Sequence, residues 1–110
     1  MHAFEVLGDP VRRRILELLA EGAQRSGVLS DILRREFGIS QPGVSQHLRI
    51  LREYGLTSVR AEGTRRVYSI RSAPLEEIDA WLDQFRGFWV QHLQALSAEA
   101  DHRDGDGAAR

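Results

Sequence analysis

The sequence contains no cysteine and no lysine, and no apolar run in its 110 residues approaches the length of a membrane span. The lack of thiols excludes a disulfide framework, a thiolate metal site and a thiol nucleophile. A bilayer span needs about 18–20 apolar residues, and residues 1–14 lack the apolar stretch of a signal peptide. The chain is therefore expected to be cytoplasmic, with no membrane partner and with one domain.

Positive charge is concentrated in the middle of the chain, although the formal net charge is only −1. All fifteen basic side chains are arginines. Residues 31–71 carry eight arginines and four acids, whereas residues 72–110 carry three arginines and eight acids. This segregation favours a protein whose basic part meets a polyanion. Arginines scattered over a solvated surface are the alternative interpretation.

Two helices are predicted in the first 37 residues, after a short helical turn over residues 2–7. Asp9 and Pro10 are an N-cap residue and a first-position proline, and Gly22 ends the helix that they begin. The second helix covers residues 26–37, with an inward face predicted at Val28, Leu29, Ile32, Leu33 and Phe37.

A third predicted helix begins at Ser40 and ends before Gly55, with Val44, Leu48 and Leu51 on its apolar face. A tight turn at residues 38–40 separates it from the preceding helix. Its other face is unusual because it carries amides, hydroxyls and arginines, which are Gln41, Ser45, Gln46, Arg49 and Arg52. Two short helices around a tight turn, the second with such a face, are typical of a helix-turn-helix.

A β-hairpin is predicted after Gly55, where the apolar period changes to two. The strands cover residues 56–61 and 66–71, and residues 62–64 form the turn. Arg60, Arg65 and Arg66 cluster around the tip. They would repel one another in the absence of a ligand, and a phosphate would remove that cost.

The last predicted helix carries an apolar heptad seam interrupted only by His92. An exposed stripe of this size is typical of an association surface. With Phe4 from the N-terminal turn, the predicted dimer interface comprises Leu75, Ile78, Leu82, Phe85, Trp89 and Leu96. Residues 99–110 are predicted to be a disordered acidic tail, so the folded domain is expected to cover residues 1–98.

Three segments, at residues 8–16, 40–51 and 63–68, resemble the ArsR family of bacterial winged-helix repressors. The most specific is Ser40-Gln41-Pro42-Gly43-Val44-Ser45-Gln46-His47-Leu48. The resemblance implies a mainly α fold with a β-hairpin wing (α+β), a winged helix-turn-helix that dimerises through its N- and C-terminal helices. It also implies a homodimer that binds a double-stranded DNA operator and shuts off a promoter, often its own.

The residue chemistry supports DNA recognition by the third helix and the hairpin. Gln can bond adenine at two points, Arg can do the same with guanine, and Arg is favoured at the minor groove. The predicted DNA-binding residues are Ser40, Gln41, Ser45, Gln46, Arg49, Arg65 and Arg66. Two other roles stay open: Ser40 serves equally well as a helix cap, and His47 can tether its helix through a buried hydrogen bond.

No metal or other cofactor is predicted to be required. Some relatives in the family bind metal on the dimer helix, and the corresponding positions here are Asp79, Trp81, His92 and Ala95, of which two are ligands. Zinc takes four ligands, or three and a water, so the set is incomplete.

Several alternatives stay open at the level of the sequence. Aromatic residues of the last helix could line a pocket for an unidentified effector, although they suit an interface core better. A winged helix can also act as a protein-interaction module, but such an interface would favour aromatic residues over this polar helix face. An enzyme is not expected, because no catalytic set has a suitable spacing; Ser45 and His47 lie two apart on a helix and do not face each other.

Overall fold

The computed structural model describes the backbone of residues 3–108 and the side chains of residues 3–100. The elements, in chain order, are α1 (Ala3–Val6), α2 (Pro10–Ala20), β1 (Gln24–Arg25), α3 (Ser26–Phe37), α4 (Gln41–Glu53), β2 (Thr57–Glu62), β3 (Arg65–Ile70) and α5 (Ala73–Ala108). The chain divides into two compact units, Met1–Ile78 and Asp79–Arg110. Within the described part, no helix is long and apolar enough to cross a membrane.

Helices α2, α3 and α4 begin and end close to where the sequence predicts. The Asp9 carboxylate accepts hydrogen bonds from the backbone N–H groups of Val11, at 2.8 Å, and Arg12, at 3.3 Å. It thereby satisfies two donors that the first turn of α2 leaves open. In the tight turn between α3 and α4, Gly38 ends α3 in the left-handed conformation (φ +68°), which glycine adopts without strain.

One hydrophobic core holds the first unit together, and it draws on α1 to α4, the chain after α4, and β3. Leu29 and Leu33 lie one turn apart on α3 and are fully buried, as predicted. The predicted inward positions of Val28 and Phe37 are wrong, since these side chains are 42% and 39% exposed. Both lie in terminal turns of α3, and apolar spacing predicts a helix face but not how far along the helix that face is covered.

The sheet has three antiparallel strands in the order β1-β3-β2. The hairpin register runs from Thr57 opposite Ile70 to Glu62 opposite Arg65. The two-residue loop begins with Gly63 at φ +64°, a conformation that tight hairpins require at this position. Both predicted strands exist, with boundaries shifted by one residue. The sequence does not predict β1, because two residues are too short to show a strand period.

The last helix extends further than the sequence predicts. α5 ends at Ala108, whereas the disordered tail over residues 99–110 stays a prediction; residues 109–110 lie outside the described part. The prediction rests on the lack of apolar side chains to bury. A helix that has already nucleated can nevertheless propagate without burial, and Ala98, Glu99 and Ala100 favour this because alanine and glutamate are good helix formers. The domain boundary at residue 98 stays a prediction.

A two-pronged ion pair joins α2 to α3. Arg14 donates from Nε to one carboxylate oxygen of Glu36 at 2.9 Å and from Nη2 to the other at 3.0 Å. This parallel geometry is the one that arginine is suited to make with a carboxylate. The hydrogen bond from Arg14 holds the pKa of Glu36 below its ordinary value.

We expect Glu36→Gln to lower the melting temperature at pH 7, with a difference from wild type that shrinks as the pH falls below about 4.3, the ordinary pKa of glutamate. The folded carboxylate stays ionised to a lower pH than the unfolded one, so its contribution is lost as the pH falls through the lowered pKa. Circular dichroism melts between pH 3 and 7 measure the difference.

Glu17→Gln is the matched control, because that carboxylate lies 3.8 Å from Arg14 and makes no comparable two-pronged contact. It should change the melting temperature less than Glu36→Gln. A Glu36→Gln deficit of the same size at every pH would contradict the assignment.

Candidate nucleic-acid interface

The orientation of α4 follows from its apolar face. Val44, Leu48 and Leu51 are buried in the core. Because a helix fixes the angle between successive side chains, the face of α4 opposite these residues must point to solvent. The four predicted base-reading side chains of this helix, which are Gln41, Ser45, Gln46 and Arg49, are all exposed.

Ser40 is the N-cap of α4. Its hydroxyl oxygen accepts a hydrogen bond from the backbone N–H of Gly43 at 3.2 Å. The capping role left open by the sequence is therefore confirmed. The hydroxyl hydrogen is not used in that bond, so the predicted contact between Ser40 and DNA remains compatible with the cap.

A groove of about 750 Å³ lies between α3, α4 and β3. Its lining comprises Ser26, Gly27, Ser30, Gln41, Pro42, Ser45, Gln46, Leu48, Arg49, Arg52, Arg66 and Tyr68. The structure therefore brings the base-reading residues of the recognition helix together with one arginine of the wing. Arg65 does not line this groove but lies beside it at the hairpin tip, opposite Glu62.

The tip of the wing carries less uncompensated positive charge than the sequence predicts. Arg60 lies 3.5 Å from the carboxylate of Glu62 on the same strand, so its charge is partly compensated. Arg65 and Arg66 are both exposed and have no ion pair among the described residues. The uncompensated charge at the tip therefore comes from two arginines rather than three.

Arg12 ties the recognition helix to the start of the chain. Its guanidinium donates to the carbonyl oxygens of Val6, at 2.6 Å, and Glu5, at 3.3 Å. Its third contact is with Nδ1 of His47 on α4, at 3.3 Å. Because arginine has only donors, Nδ1 must act as the acceptor. The tethering role that the sequence left open for His47 is thus confirmed, although the sequence does not indicate its partner.

The predicted dimer residues occupy different environments within this chain. Leu75 packs against the core of the first unit, and Ile78, Leu82 and Phe85 are half-buried. Trp89 and Leu96 are each 48% exposed, and Phe4 is 39% exposed. Aromatic rings also follow one another along α5: the Trp81 and Phe85 centroids are 4.8 Å apart, and those of Phe85 and Trp89 are 6.4 Å apart.

The two candidate metal ligands have other contacts in this chain. The Asp79 carboxylate accepts a hydrogen bond from Arg86, which also contacts Asp83. This hydrogen bond raises the pKa of Arg86 above its ordinary value. The His92 ring stacks on Phe88 with a centroid separation of 5.9 Å. Over the described part of the chain, no group of three or more His, Asp or Glu side chains could hold a metal ion.

Several groove residues are not among those that the sequence predicts. Ser26, Gly27 and Ser30 come from α3, Arg52 from the last turn of α4, and Tyr68 from β3. Arg52 is recognisable as part of the polar helix face. The α3 residues carry no signal, because their position depends on how α3 packs beside α4 and on the short strand β1.

The comparisons with known proteins agree with this geometry. A family model described as a helix-turn-helix domain matches residues 7–60. The HTH-type transcriptional regulator Rv2034 of Mycobacterium tuberculosis is 37% identical over 103 residues, which cover 90% of each chain. The transcriptional repressor SdpR of Bacillus subtilis is 32% identical over 84 residues, which cover 76% of this chain and 89% of its own.

The fold has a solved counterpart in an ArsR family transcriptional regulator. Its crystal structure matches with a TM-score of 0.66 and 27% identity, over 78% of this chain and 84% of that one. The chain belongs to the ArsR family of winged helix-turn-helix regulators. It is accordingly a DNA-binding transcriptional regulator.

Proposed function

We propose that the chain is a homodimeric repressor that reads a palindromic operator and requires no metal. One observation carries this proposal: Gln41, Ser45, Gln46 and Arg49 share a single groove with the wing residue Arg66. The side chains suited to base edges and one suited to phosphate or the minor groove are thereby available to the same stretch of duplex.

The residues of the site have different roles because their side chains differ in chemistry. Arg49 and the two glutamines supply paired donors or acceptors, which read base edges in the major groove. Arg65 and Arg66 supply uncompensated charge at the wing, where phosphates or a narrow minor groove attract arginine. SdpR is named as a transcriptional repressor, which supports the repressor assignment for this chain.

Dimerisation is supported by the apolar surface of α5. Trp81, Phe88, Trp89, Leu93 and Leu96 are exposed in the single chain. Exposing so many large apolar side chains on one helix is costly in water, and a second copy would bury them. A two-fold dimer would place two recognition helices about 34–36 Å apart, in successive major grooves.

Metal independence is supported by the Arg86 contact, which engages the Asp79 carboxylate. Two alternatives are an unidentified small-molecule effector and a metal shared between two chains. DNA-binding measurements distinguish both from the proposal. Either would appear as a change in DNA affinity when the effector is added.

Selection of bound sequences from a random duplex library tests the operator proposal. We expect enrichment of an inverted repeat whose half-sites are centred about 10–10.5 base pairs apart. Recovery of unrelated sequences without a repeat would contradict the palindrome.

Arg49→Ala should weaken binding to the selected operator by about 1–3 kcal/mol and relax the preference at one base position. The reason is the loss of a two-point contact to a guanine edge. Fluorescence anisotropy with the operator and with single-base variants measures both effects.

Glu53→Ala is the control for this variant, because Arg49 lies 3.8 Å from the Glu53 carboxylate. Removing that carboxylate should leave specific binding unchanged or tighter. If Glu53→Ala weakened binding as much as Arg49→Ala, the loss would reflect the ion pair rather than base recognition.

Trp89→Asp should produce a monomer of 12.5 kDa at micromolar concentration where the wild type scatters light as a dimer. A carboxylate placed in an apolar interface must be desolvated without a partner. Gln91→Asp, two positions along α5 and exposed, is the matched control and should stay dimeric. A Trp89→Asp variant with the mass of a dimer would contradict the predicted seam.

A further inference from the structure

His47 lies on the side of α4 that faces away from the groove. Successive side chains of a helix are about 100° apart, so His47 and Arg49 project in directions that differ by roughly 160°. The His47 ring is half-buried, whereas Arg49 is exposed and lines the groove. His47 is therefore placed to influence base recognition through the position of the helix rather than through a contact with DNA.

Among the described residues, the His47 ring makes its one hydrogen bond with Arg12 of α2. Nη1 of Arg12 lies 3.3 Å from Nδ1 of His47, and Nδ1 is the acceptor because arginine has only donors. The neighbours of His47 one turn away on α4 carry no charge, and they are Gly43, Val44, Ile50 and Leu51. The contact with Arg12 is thus the polar link between this side of α4 and the preceding helices.

The Arg12 charge is not compensated by an ion pair. Over the part of the chain that the structure describes, no salt bridge includes Arg12 or His47. The guanidinium instead donates to the carbonyl oxygens of Val6 and Glu5 at the end of α1. The Glu5 carboxylate is exposed, and the Asp9 carboxylate accepts from backbone N–H groups at the start of α2. A positive charge on the His47 ring would therefore face Arg12 with no carboxylate paired to either group.

The other elements that pack against α4 bring no charged group into contact with the ring. These elements are α3 and β2, and their charged side chains are Asp31, Arg34, Arg35, Glu36, Arg60 and Glu62. Within the described residues, none of these side chains has a hydrogen bond or an ion pair with His47. Arg49, Arg52 and Glu53 of α4 itself project at least about 100° away from His47. Protonation of the ring would therefore act on Arg12.

Protonation of His47 would remove the acceptor on which the contact depends. In the charged imidazole both ring nitrogens carry hydrogen, so Nδ1 could no longer accept from Arg12. Two like charges would then face each other at the same distance, which is unfavourable. Histidine is the side chain whose charge ordinarily changes between about pH 5 and 8, so the contact is sensitive to pH in a way that the apolar contacts of α4 are not.

We propose that Arg12 is a positioning residue for operator recognition, which sets the tilt of α4 through the neutral ring of His47, and that protonation of His47 releases this contact and weakens specific binding. The inference rests on the proposed operator recognition. Base edges are read only by side chains held in the right place, whereas phosphate contacts carry no sequence information. Loss of the Arg12 contact should therefore reduce affinity for the operator more than affinity for other DNA.

Arg12→Met tests the positioning role. Its affinity for the selected operator should fall roughly tenfold, as for the loss of one hydrogen bond to a charged group, while its affinity for a scrambled duplex should match that of the control. Arg13→Met is the matched control, because it removes the same charge and a contact with the Leu7 carbonyl oxygen at 2.7 Å. Arg13 has no hydrogen bond to α4 among the described residues, so this control should keep the selectivity of wild type for the operator. Fluorescence anisotropy with the two duplexes measures both variants.

His47→Asn tests the protonation step. The asparagine Oδ1 can accept from Arg12 in place of Nδ1, and it does not titrate. Operator affinity should be close to that of wild type at about pH 8, and wild type should lose several-fold more affinity than the variant as the pH is lowered to about 5.5, within the range in which histidine titrates. The other three histidines are present in both proteins, so the difference reports on His47. Circular dichroism at each pH checks that both proteins are folded.

Equal operator selectivity in Arg12→Met and Arg13→Met would overturn the positioning role, and coincident pH profiles for wild type and His47→Asn would overturn the protonation step. Both results leave the proposed function standing. A proportional loss of operator and scrambled-duplex binding in Arg12→Met, together with a lower melting temperature, would assign Arg12 a purely structural role and contradict the proposal. If wild type does not distinguish the operator from the scrambled duplex at any pH, the proposed function fails and the inference fails with it.

Discussion

Burial of Val44, Leu48 and Leu51 is the interaction on which the rest of the structure depends. Each fully buried side chain of this kind stabilises the fold by about 1.5–3 kcal/mol. Rotating α4 by one residue would turn its apolar face by about 100° and bring polar side chains such as Gln41 or Arg49 towards the core. The core therefore fixes which side chains of α4 face solvent, so the DNA-binding face of α4 is oriented before DNA binds.

Arginine contacts reinforce this arrangement at two junctions. Arg12 joins the carbonyl groups at the end of α1 to His47 on α4, and Arg14 joins α2 to Glu36 on α3. Each guanidinium makes several directed bonds, which a lysine ammonium could not reproduce with the same geometry. The arginines that the sequence distributes so unevenly thus divide into a set that positions helices and a set that stays uncompensated around the groove and the wing.

Local features of the sequence are sufficient to predict most of the fold. Asp9, Gly38 and Ser40 act within one helical turn of their own positions, and the alternation in residues 57–70 is visible without knowledge of the tertiary structure. The exposure of Val28 and Phe37 and the pairing of β1 are not predictable, because they depend on contacts between elements distant in sequence. The continuation of α5 to Ala108 escapes prediction for a different reason, since helix propagation needs no burial.

The candidate site, like the fold, can be predicted from the sequence only in part. The polar face of α4 is predictable because it is the complement of a periodic apolar face. The part contributed by α3, including Gly27 and Ser30, cannot be predicted. Glycine and serine do not by themselves indicate a binding site, and these two residues line the groove only because α3 packs beside α4.

The most direct test of sequence-specific, metal-independent DNA binding is fluorescence anisotropy with two duplexes over a salt series, with and without zinc. One duplex carries the promoter upstream of the chain's own gene, and the other is a scrambled version of it. We predict tighter binding to the promoter at every salt concentration and no change on addition of zinc. Equal affinity for the two duplexes, or release of the promoter by zinc, would contradict sequence-specific, metal-independent binding.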